Sequence, residues 1–152
     1  MQLRLREFLA QLASNPSSDF VGLGLIFYSS FDGLPVFPLG NQAVLAGLPL
    51  QEEEEIKNYL LDISRRSSPW HDGFHLLDVR SGQLTHVAQF VSPPLDFART
   101  TPAHRWPSGA RHMAALLAST LPQVVSSVVV PTTGPIHVYQ AGHLLPYGGA
   151  SE

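Results

Sequence analysis

Two short segments carry the side chains best suited to chemistry, and the first is Pro-Trp-His-Asp-Gly-Phe at residues 69–74. Asp72 could ligate a hard cation or accept a hydrogen bond from a sugar hydroxyl. Gly73 has no Cβ and therefore lets the backbone come close to a ligand. Asp-Gly is also among the commonest turn dipeptides, and on its own the pair is more typical of an ordinary turn. The segment becomes informative only together with a second one.

The second segment, Pro-Ser-Gly-Ala-Arg-His-Met-Ala at residues 107–114, predicts the start of a helix capped by Ser108. A helix N-terminus offers unpaired N–H groups and a partial positive charge, and Arg111 and His112 add to that charge. An anion such as a phosphate is therefore expected there. The alternative is that Arg111 pairs with an internal carboxylate, for instance in the glutamate run 52–55.

Histidines near these segments raise the question of a metal cluster. His71 and His75 flank Asp72, and His104 and His112 follow later in the chain. Two strand residues four positions apart lie about 13 Å from each other, too far to share one metal ion. A histidine cluster is therefore not expected.

Three aromatic residues close to the two segments, Trp70, Phe74 and Trp106, could stack on a nucleobase. Large aromatic residues more often belong to a protein core. Trp106 is the favoured candidate for stacking, because it lies next to Pro107 and the cationic helix start.

The elements that must position these residues alternate between helical and strand patterns. Helices are predicted where apolar residues recur at helical spacing, at residues 5–12, 49–68 and 110–121. Strands are predicted at residues 21–30, 34–37, 74–79, 84–91, 124–130 and 136–144. The third and fourth strands form a predicted hairpin, and the Pro-rich stretch 92–109 a long surface loop. We predict one α/β domain over residues 1–145, with a twisted mixed sheet flanked by helices, and a flexible tail at 146–152.

The helix at 49–68 shows the charge pattern of a helix macrodipole. Glutamates 52–55 lie in its predicted first turn and Arg65 and Arg66 in its last. A charge run in a first turn is usually a solvated face, and we interpret the glutamates in that way rather than as a metal site.

Composition excludes several classes of function. The chain has 152 residues, 44% of them hydrophobic and 14% charged, with a formal net charge of −3. Nucleic acid is therefore not an expected partner. There is no cysteine, which excludes disulfides and thiolate-bound metals. The first 14 residues interrupt their apolar positions with Arg4, Arg6 and Glu7, so we expect no secretion signal, no membrane span and a cytoplasmic location.

The order and spacing of the segments resemble the diadenylate cyclase domain of bacterial cyclases over about residues 50–145. That family carries P-L-H-D-G-A, then G-T-R-H-R-A-A, then S-E-E-T-G before a closing strand. The resemblance implies binding of ATP with Mn²⁺ or Mg²⁺, and a face-to-face homodimer that makes cyclic di-AMP. It implies that Asp72 binds the metal, and that Arg111 and His112 contact phosphate. The implied nucleotide-binding set is Asp72, Gly73, Phe74, Trp106, Ser108, Gly109, Ala110, Arg111 and His112.

The chain departs from that family at several of these positions. Phe74, Ala110 and Met113 replace an alanine, a threonine and an arginine, and residues 130–132 read Val-Pro-Thr in place of S-E-E. Groups that stabilise charge in a transition state often contribute about 3 kcal/mol each. We therefore expect a nucleotide-binding sensor or regulatory domain with little turnover. The alternatives are an active cyclase, in which Asp72, Arg111 and His112 would be catalytic, and an interaction module that binds no nucleotide.

Overall fold

Seven strands form one mixed sheet in the computed structural model of the chain, which describes residues 2–14 and 16–146. The four helices of this described part are α1 (Gln2–Ser14), α2 (Glu53–Ile63), α3 (Asp96–Thr100) and α4 (Ala110–Ala118). The strands are β1 (Leu23–Tyr28), β2 (Val36–Pro38), β3 (Phe74–Asp78), β4 (Gln83–Val91), β5 (Val124–Val130), β6 (His137–Gln140) and β7 (His143–Leu144). The predicted single α/β domain with a mixed sheet is confirmed, and the predicted tail lies, apart from Pro146, outside the described residues.

The strand order is β2-β4-β3-β1-β5-β6-β7. The central strand β1 is parallel to β3 and antiparallel to β5, and the other neighbouring pairs are antiparallel. The predicted β3–β4 hairpin is therefore confirmed. The short strand after β1 pairs with β4 rather than with β1, because β3 occupies one side of β1 and β5 the other.

Both faces of the sheet are covered, and alternate residues of β1 enter two separate cores. Leu25 and Phe27 face α1 and α2, while Ile26 and Tyr28 face the side that α4 covers. All six residues of β1 are buried. This explains why the strand reads as a continuous apolar run rather than an alternating one.

Helix α2 is shorter than the predicted 49–68 at both ends, although it keeps the predicted acidic first turn. Glu53, Glu54 and Glu55 lie in the first turn. The helix stops at Ile63, so the placement of Arg65 and Arg66 in its last turn is wrong. Arg66 instead donates a backbone hydrogen bond to the Asp19 carbonyl, and the Arg65 side chain pairs with the Asp19 carboxylate at 3.0 Å. These contacts draw the chain away from the helix axis.

Two other regions differ from the sequence prediction. The Pro-rich stretch 92–109 contains α3 and a 3₁₀ turn at Ala103–Arg105, because short i→i+3 and i→i+4 hydrogen bonds form between its prolines. The predicted last strand 136–144 is a hairpin of β6 and β7 around Ala141-Gly142, both with positive φ. Such φ values belong to a turn and interrupt a strand.

No helix in the described part of the chain combines the length and the apolar character needed to cross a bilayer.

Candidate functional site

Helix α4 begins beside the connection that enters β3, so the two segments singled out by sequence meet in space. The Arg111 side chain reaches from the first turn of α4 and donates a hydrogen bond from Nη2 to the His71 carbonyl at 3.2 Å. Its other terminal nitrogen lies against Gly22, where a Cβ would sit 3.3 Å from Nη1. Gly22, which precedes β1, therefore leaves room for the guanidinium.

Arg111 is half-buried, and in the described part of the chain one hydrogen bond, to the His71 carbonyl, engages its guanidinium. Burial lowers the pKa of its guanidinium, and the Asp72 carboxylate acts in the opposite direction. Among the described residues, no carboxylate forms an ion pair with it. The alternative pairing with the glutamate run is wrong, because those residues lie at the far end of the sheet, beside the C-terminal ends of β3 and β6.

The N-terminus of α4 forms the second part of the candidate site. The residue before the helix is Gly109, and its carbonyl accepts the first helical hydrogen bond, from Met113, at 2.8 Å. The helix begins at Ala110, as predicted, so its capping position is Gly109. The prediction that Ser108 caps it is therefore wrong, and Gly109 has no side chain to take that role. No side-chain cap reaches this terminus from the described residues, so its first N–H groups stay available.

Asp72 is exposed, with 76% of its side chain accessible, and one oxygen lies 3.6 Å from His71 Nε2. No group of three His, Cys, Asp or Glu residues able to hold a metal occurs in the described ranges. A single carboxylate does not make a resident Mg²⁺ or Mn²⁺ site, since such ions require about six oxygen ligands. Asp72 does fit a cation that arrives already bound to phosphates, which supply the remaining oxygens.

Gly73 and Phe74 both pack against neighbouring strands of the sheet. Gly73 has φ +77°, and a Cβ there would lie 2.6 Å from the Gln89 carbonyl oxygen of β4. The sequence suggested that Gly73 lets the backbone come close to a ligand, but in the structure the close neighbour of Gly73 is strand β4. Phe74 is 4% exposed and lies in the core on the α4 side of the sheet, with its ring against Gly24.

The remaining predicted residues lie at the surface of the same region. Trp106 is 43% exposed and follows the 3₁₀ turn at Ala103–Arg105, while Trp70 is partly buried against the core. Ser108 and Ala110 are exposed on either side of Gly109. Among the three aromatic candidates, Trp106 is thus the one whose ring is free to meet a ligand.

Two residues that the sequence analysis missed lie next to His112. His112 Nδ1 is 3.2 Å from the Tyr139 hydroxyl and 3.0 Å from His137 Nδ1. Burial lowers the pKa of His112, and the positive charges of His137 and Arg111 lower it further. His137 and Tyr139 are two apart on β6, so they share the face that meets α4. That alternation was the sequence signal available for finding them.

His75 is fully buried on β3, where its Nδ1 accepts a hydrogen bond from the Ala88 N–H at 3.0 Å. Its Nε2 is buried with no partner among the described residues. Burial lowers the pKa of His75 to about 3, and the charge of Arg111 acts in the same direction. The imidazole is therefore neutral in the folded chain, and it does not join His71 in a metal site.

This neutral histidine should weaken the fold in acid. Between pH 6.5 and about 3, His75 is protonated in the unfolded chain but neutral in the folded chain. The free energy of unfolding therefore falls as the pH falls. The loss should approach 1.4 kcal/mol per pH unit, or roughly 2 kcal/mol at pH 5. His75→Asn retains an acceptor for Ala88 and removes the titration, so urea unfolding at pH 7.5 and 5 should show a flatter profile. His104→Asn, at an exposed position, should keep the wild-type slope.

A cavity of about 700 Å³ opens at the opposite end of the sheet from Arg111. Apolar side chains such as Phe8, Phe27 and Leu77 line it, together with Glu52 and Glu53 of the acidic helix start. None of the predicted site residues lines this cavity. We place the candidate site at the start of α4, where cationic groups, uncapped helix N–H groups and the exposed Asp72 carboxylate lie together.

Comparison with solved structures identifies chains of the same architecture. DacA from Staphylococcus aureus, a diadenylate cyclase solved as an N166C/T172C double mutant, matches with a TM-score of 0.58 and 18% identity over 95% of this chain and 86% of that one. A hypothetical membrane spanning protein from Bacillus cereus matches with a TM-score of 0.55 and 18% identity over 91% of this chain and 60% of that one.

No protein-family model matches the sequence, and no curated protein matches it. At 18% identity the structural likeness concerns the fold. The resemblance inferred from the two segments is confirmed at that level: this chain has the fold of the diadenylate cyclase DacA.

Proposed function

We propose that this chain binds the phosphates of a nucleotide such as ATP at the start of α4, and acts as a sensor or regulatory domain with little or no turnover. The observation that supports it most directly is the half-buried Arg111 guanidinium without a carboxylate partner among the described residues. A cation removed from water in this way is stabilised when an anion joins it.

The hydrogen-bonding capacity of the site fits a phosphate group. A guanidinium has five N–H donors, and Arg111 uses one of them on the His71 carbonyl. The open N–H groups at the start of α4 add further donors and a partial positive charge. Two oxygens of one phosphate could therefore be bound by the guanidinium fork while a third accepts from the helix terminus.

Asp72 gives the site a way to accept the cation that accompanies a triphosphate. Its carboxylate is exposed beside His71, whose carbonyl receives the Arg111 hydrogen bond. The carboxylate therefore lies close enough to raise the pKa of the guanidinium, but the two form no ion pair in the described part of the chain. In this proposal Mg²⁺ or Mn²⁺ enters as part of the nucleotide complex, with Asp72 as one ligand.

Weak turnover follows from the side chains that surround this position. Residues 130–132, where the cyclase family carries a serine and two glutamates, are a buried valine, a proline and an exposed threonine. Met113 offers no charge where that family has an arginine. A site with one carboxylate and one guanidinium can hold a nucleotide but lacks groups to stabilise an attacking hydroxyl and a leaving pyrophosphate.

Calorimetric titration of the full chain with ATP and with cyclic di-AMP, each with and without Mn²⁺, tests the proposal. We expect binding of at least one of them, strengthened by the metal for ATP. No heat with any nucleotide would overturn it and favour the interaction module. Product chromatography after incubation with ATP and Mn²⁺, on protein whose oligomeric state is measured by sedimentation, distinguishes a sensor from an active cyclase.

Arg111→Ala should weaken nucleotide binding at least about tenfold, because charge-assisted hydrogen bonds contribute roughly 1.5–3 kcal/mol. Arg111→Lys keeps the charge but loses the forked pair of donors, so its nucleotide affinity should lie between those of Arg111→Ala and the wild type. Arg80→Ala removes an exposed arginine in the β3–β4 turn, at the other end of the sheet, and should bind like the wild type. Equal binding by Arg111→Ala and wild type would contradict the assignment.

A further inference from the structure

Three side chains converge on one point beside α4. His112 extends from the first turn of the helix, and His137 and Tyr139 extend toward it from β6. The Tyr139 hydroxyl and His137 Nδ1 lie 3.2 Å and 3.0 Å from the same atom, His112 Nδ1. Tyr139 is 2% exposed and both histidines are partly buried, so bulk water does not surround the cluster.

Hydrogen bonding alone does not satisfy this arrangement. His112 Nδ1 carries either one proton or one lone pair, and so makes one good hydrogen bond in the plane of its ring. Two polar neighbours compete for it. In a partly buried cluster, a polar atom without a proper partner destabilises the fold.

The orientation of the two imidazole rings also argues against a good hydrogen bond between them. A straight N–H···N bond of 3.0 Å would place the ring centroids about 5.3 Å apart, since each nitrogen lies roughly 1.15 Å from its centroid. The centroids are 4.6 Å apart. The lone-pair or N–H direction of each nitrogen is therefore tilted away from the line that joins the two nitrogens, on average by about 45°. A tilt of that size is poor for a hydrogen bond.

We propose that His112, His137 and Tyr139 form a binding site for a divalent transition-metal ion of the kind that imidazole prefers, such as Zn²⁺. An ion about 2.05 Å from both Nδ1 atoms would subtend an angle of roughly 95° across their 3.0 Å separation. The same arrangement places the ring centroids about 4.6 to 4.7 Å apart, in agreement with the observed 4.6 Å. The phenol oxygen is the third ligand, and a fourth position stays open.

The chemistry of the donors sets which ions fit. Two imidazole nitrogens and a phenolate suit Zn²⁺, Co²⁺, Ni²⁺ or Cu²⁺ and are poor ligands for Mg²⁺ or Ca²⁺. Burial raises the pKa of the Tyr139 hydroxyl, so the ion must displace its proton to solvent on binding. Burial and neighbouring positive charge lower the pKa of His112, which keeps its imidazole neutral and its lone pair available. The charge of Arg111 and the helix terminus oppose a cation, so we expect micromolar rather than nanomolar affinity. The site shares His112 with the nucleotide-binding set that the family resemblance implies, and it is tested with metal alone.

Calorimetry with ZnCl₂ on the full chain, first treated with a chelator and without nucleotide, should show one ion bound per chain. His137→Ala should weaken binding at least about tenfold, and Tyr139→Phe by at least about threefold. His86→Ala is the matched control: this partly buried histidine stacks on Phe31 with centroids 4.3 Å apart, and its loss should leave zinc affinity unchanged. Thermal melting verifies that each variant is folded.

A measurement on the wild type keeps the proposal testable if His137→Ala does not fold. Histidine ¹⁵N spectra of the seven imidazoles should show Zn²⁺ shifting Nδ1 of His112 and His137 and leaving the other five unchanged. No saturable binding at 1 mM ZnCl₂, or shifts confined to other histidines, would overturn the site. Wild-type affinity in folded His137→Ala or Tyr139→Phe would overturn it equally.

Discussion

Replacing Phe74 by alanine should destabilise the chain by about 3–5 kcal/mol, among the largest effects of any single side chain here. Phe74 is 4% exposed and belongs to the core between the sheet and α4. Its ring fills the space over Gly24 on the neighbouring strand β1, where a Cβ would lie 2.7 Å from two ring carbons. Removing the ring would leave a cavity that a rigid central strand cannot close. Urea unfolding measures the loss.

The pairing of a large side chain with a glycine can be tested by a double-mutant cycle. Gly24→Ala alone should cost about 1–3 kcal/mol through overpacking, because both contacting atoms belong to a rigid ring. In Phe74→Ala the added methyl instead enters the cavity, so the double variant should be at least about 1 kcal/mol more stable than the two separate losses predict. Additive losses would show that the two residues do not form a packing unit.

Phe74→Ala also recreates the Asp-Gly-Ala sequence of the cyclase family. If little turnover in this chain were due to Phe74 alone, this variant should gain cyclization. We expect no such gain, because the phenylalanine lies in the core and the missing charged groups are elsewhere. The substitution at this position is thus explained by packing against Gly24.

The order of the elements could be predicted because hydrophobic periodicity and turn residues act locally. The β1 run, the β3–β4 hairpin and the acidic start of α2 all follow from such local signals. The end of α2 could not be predicted, since it depends on a partner distant in the chain. Arg65, for example, leaves the helix to meet Asp19.

The candidate site was predictable in part for the same reason. The sequence indicated that Arg111 and Asp72 belong together, and Arg111 does meet the connection that carries Asp72. It could not indicate that His137 and Tyr139 lie beside His112, because β6 and α4 are brought together only by the packing of the sheet. It also assigned Gly73 a role toward a ligand, whereas the neighbouring strand explains that glycine.

Gly73→Ala should therefore destabilise the fold by more than about 3 kcal/mol, whether or not a ligand is present. Its φ is +77°, which alanine adopts at a cost, and its new Cβ would lie 2.6 Å from the Gln89 carbonyl oxygen and 2.9 Å from Leu39 Cδ1. Leu39 could rotate away. The carbonyl belongs to β4 and cannot move without breaking the β3–β4 ladder.

Gly82→Ala separates the two sources of this cost. Gly82 has nearly the same φ, +75°, but a Cβ there would meet no atom within 4 Å. It should lose only the conformational part, about 1 kcal/mol, so the difference between the two variants measures the collision with β4. Equal losses of stability in Gly73→Ala and Gly82→Ala would show that β4 moves aside to accept the new Cβ. Gly73 would then be required only for its positive φ. A Gly73→Ala variant that folds with wild-type stability but no longer binds nucleotide would instead show that Gly73 is required for the ligand.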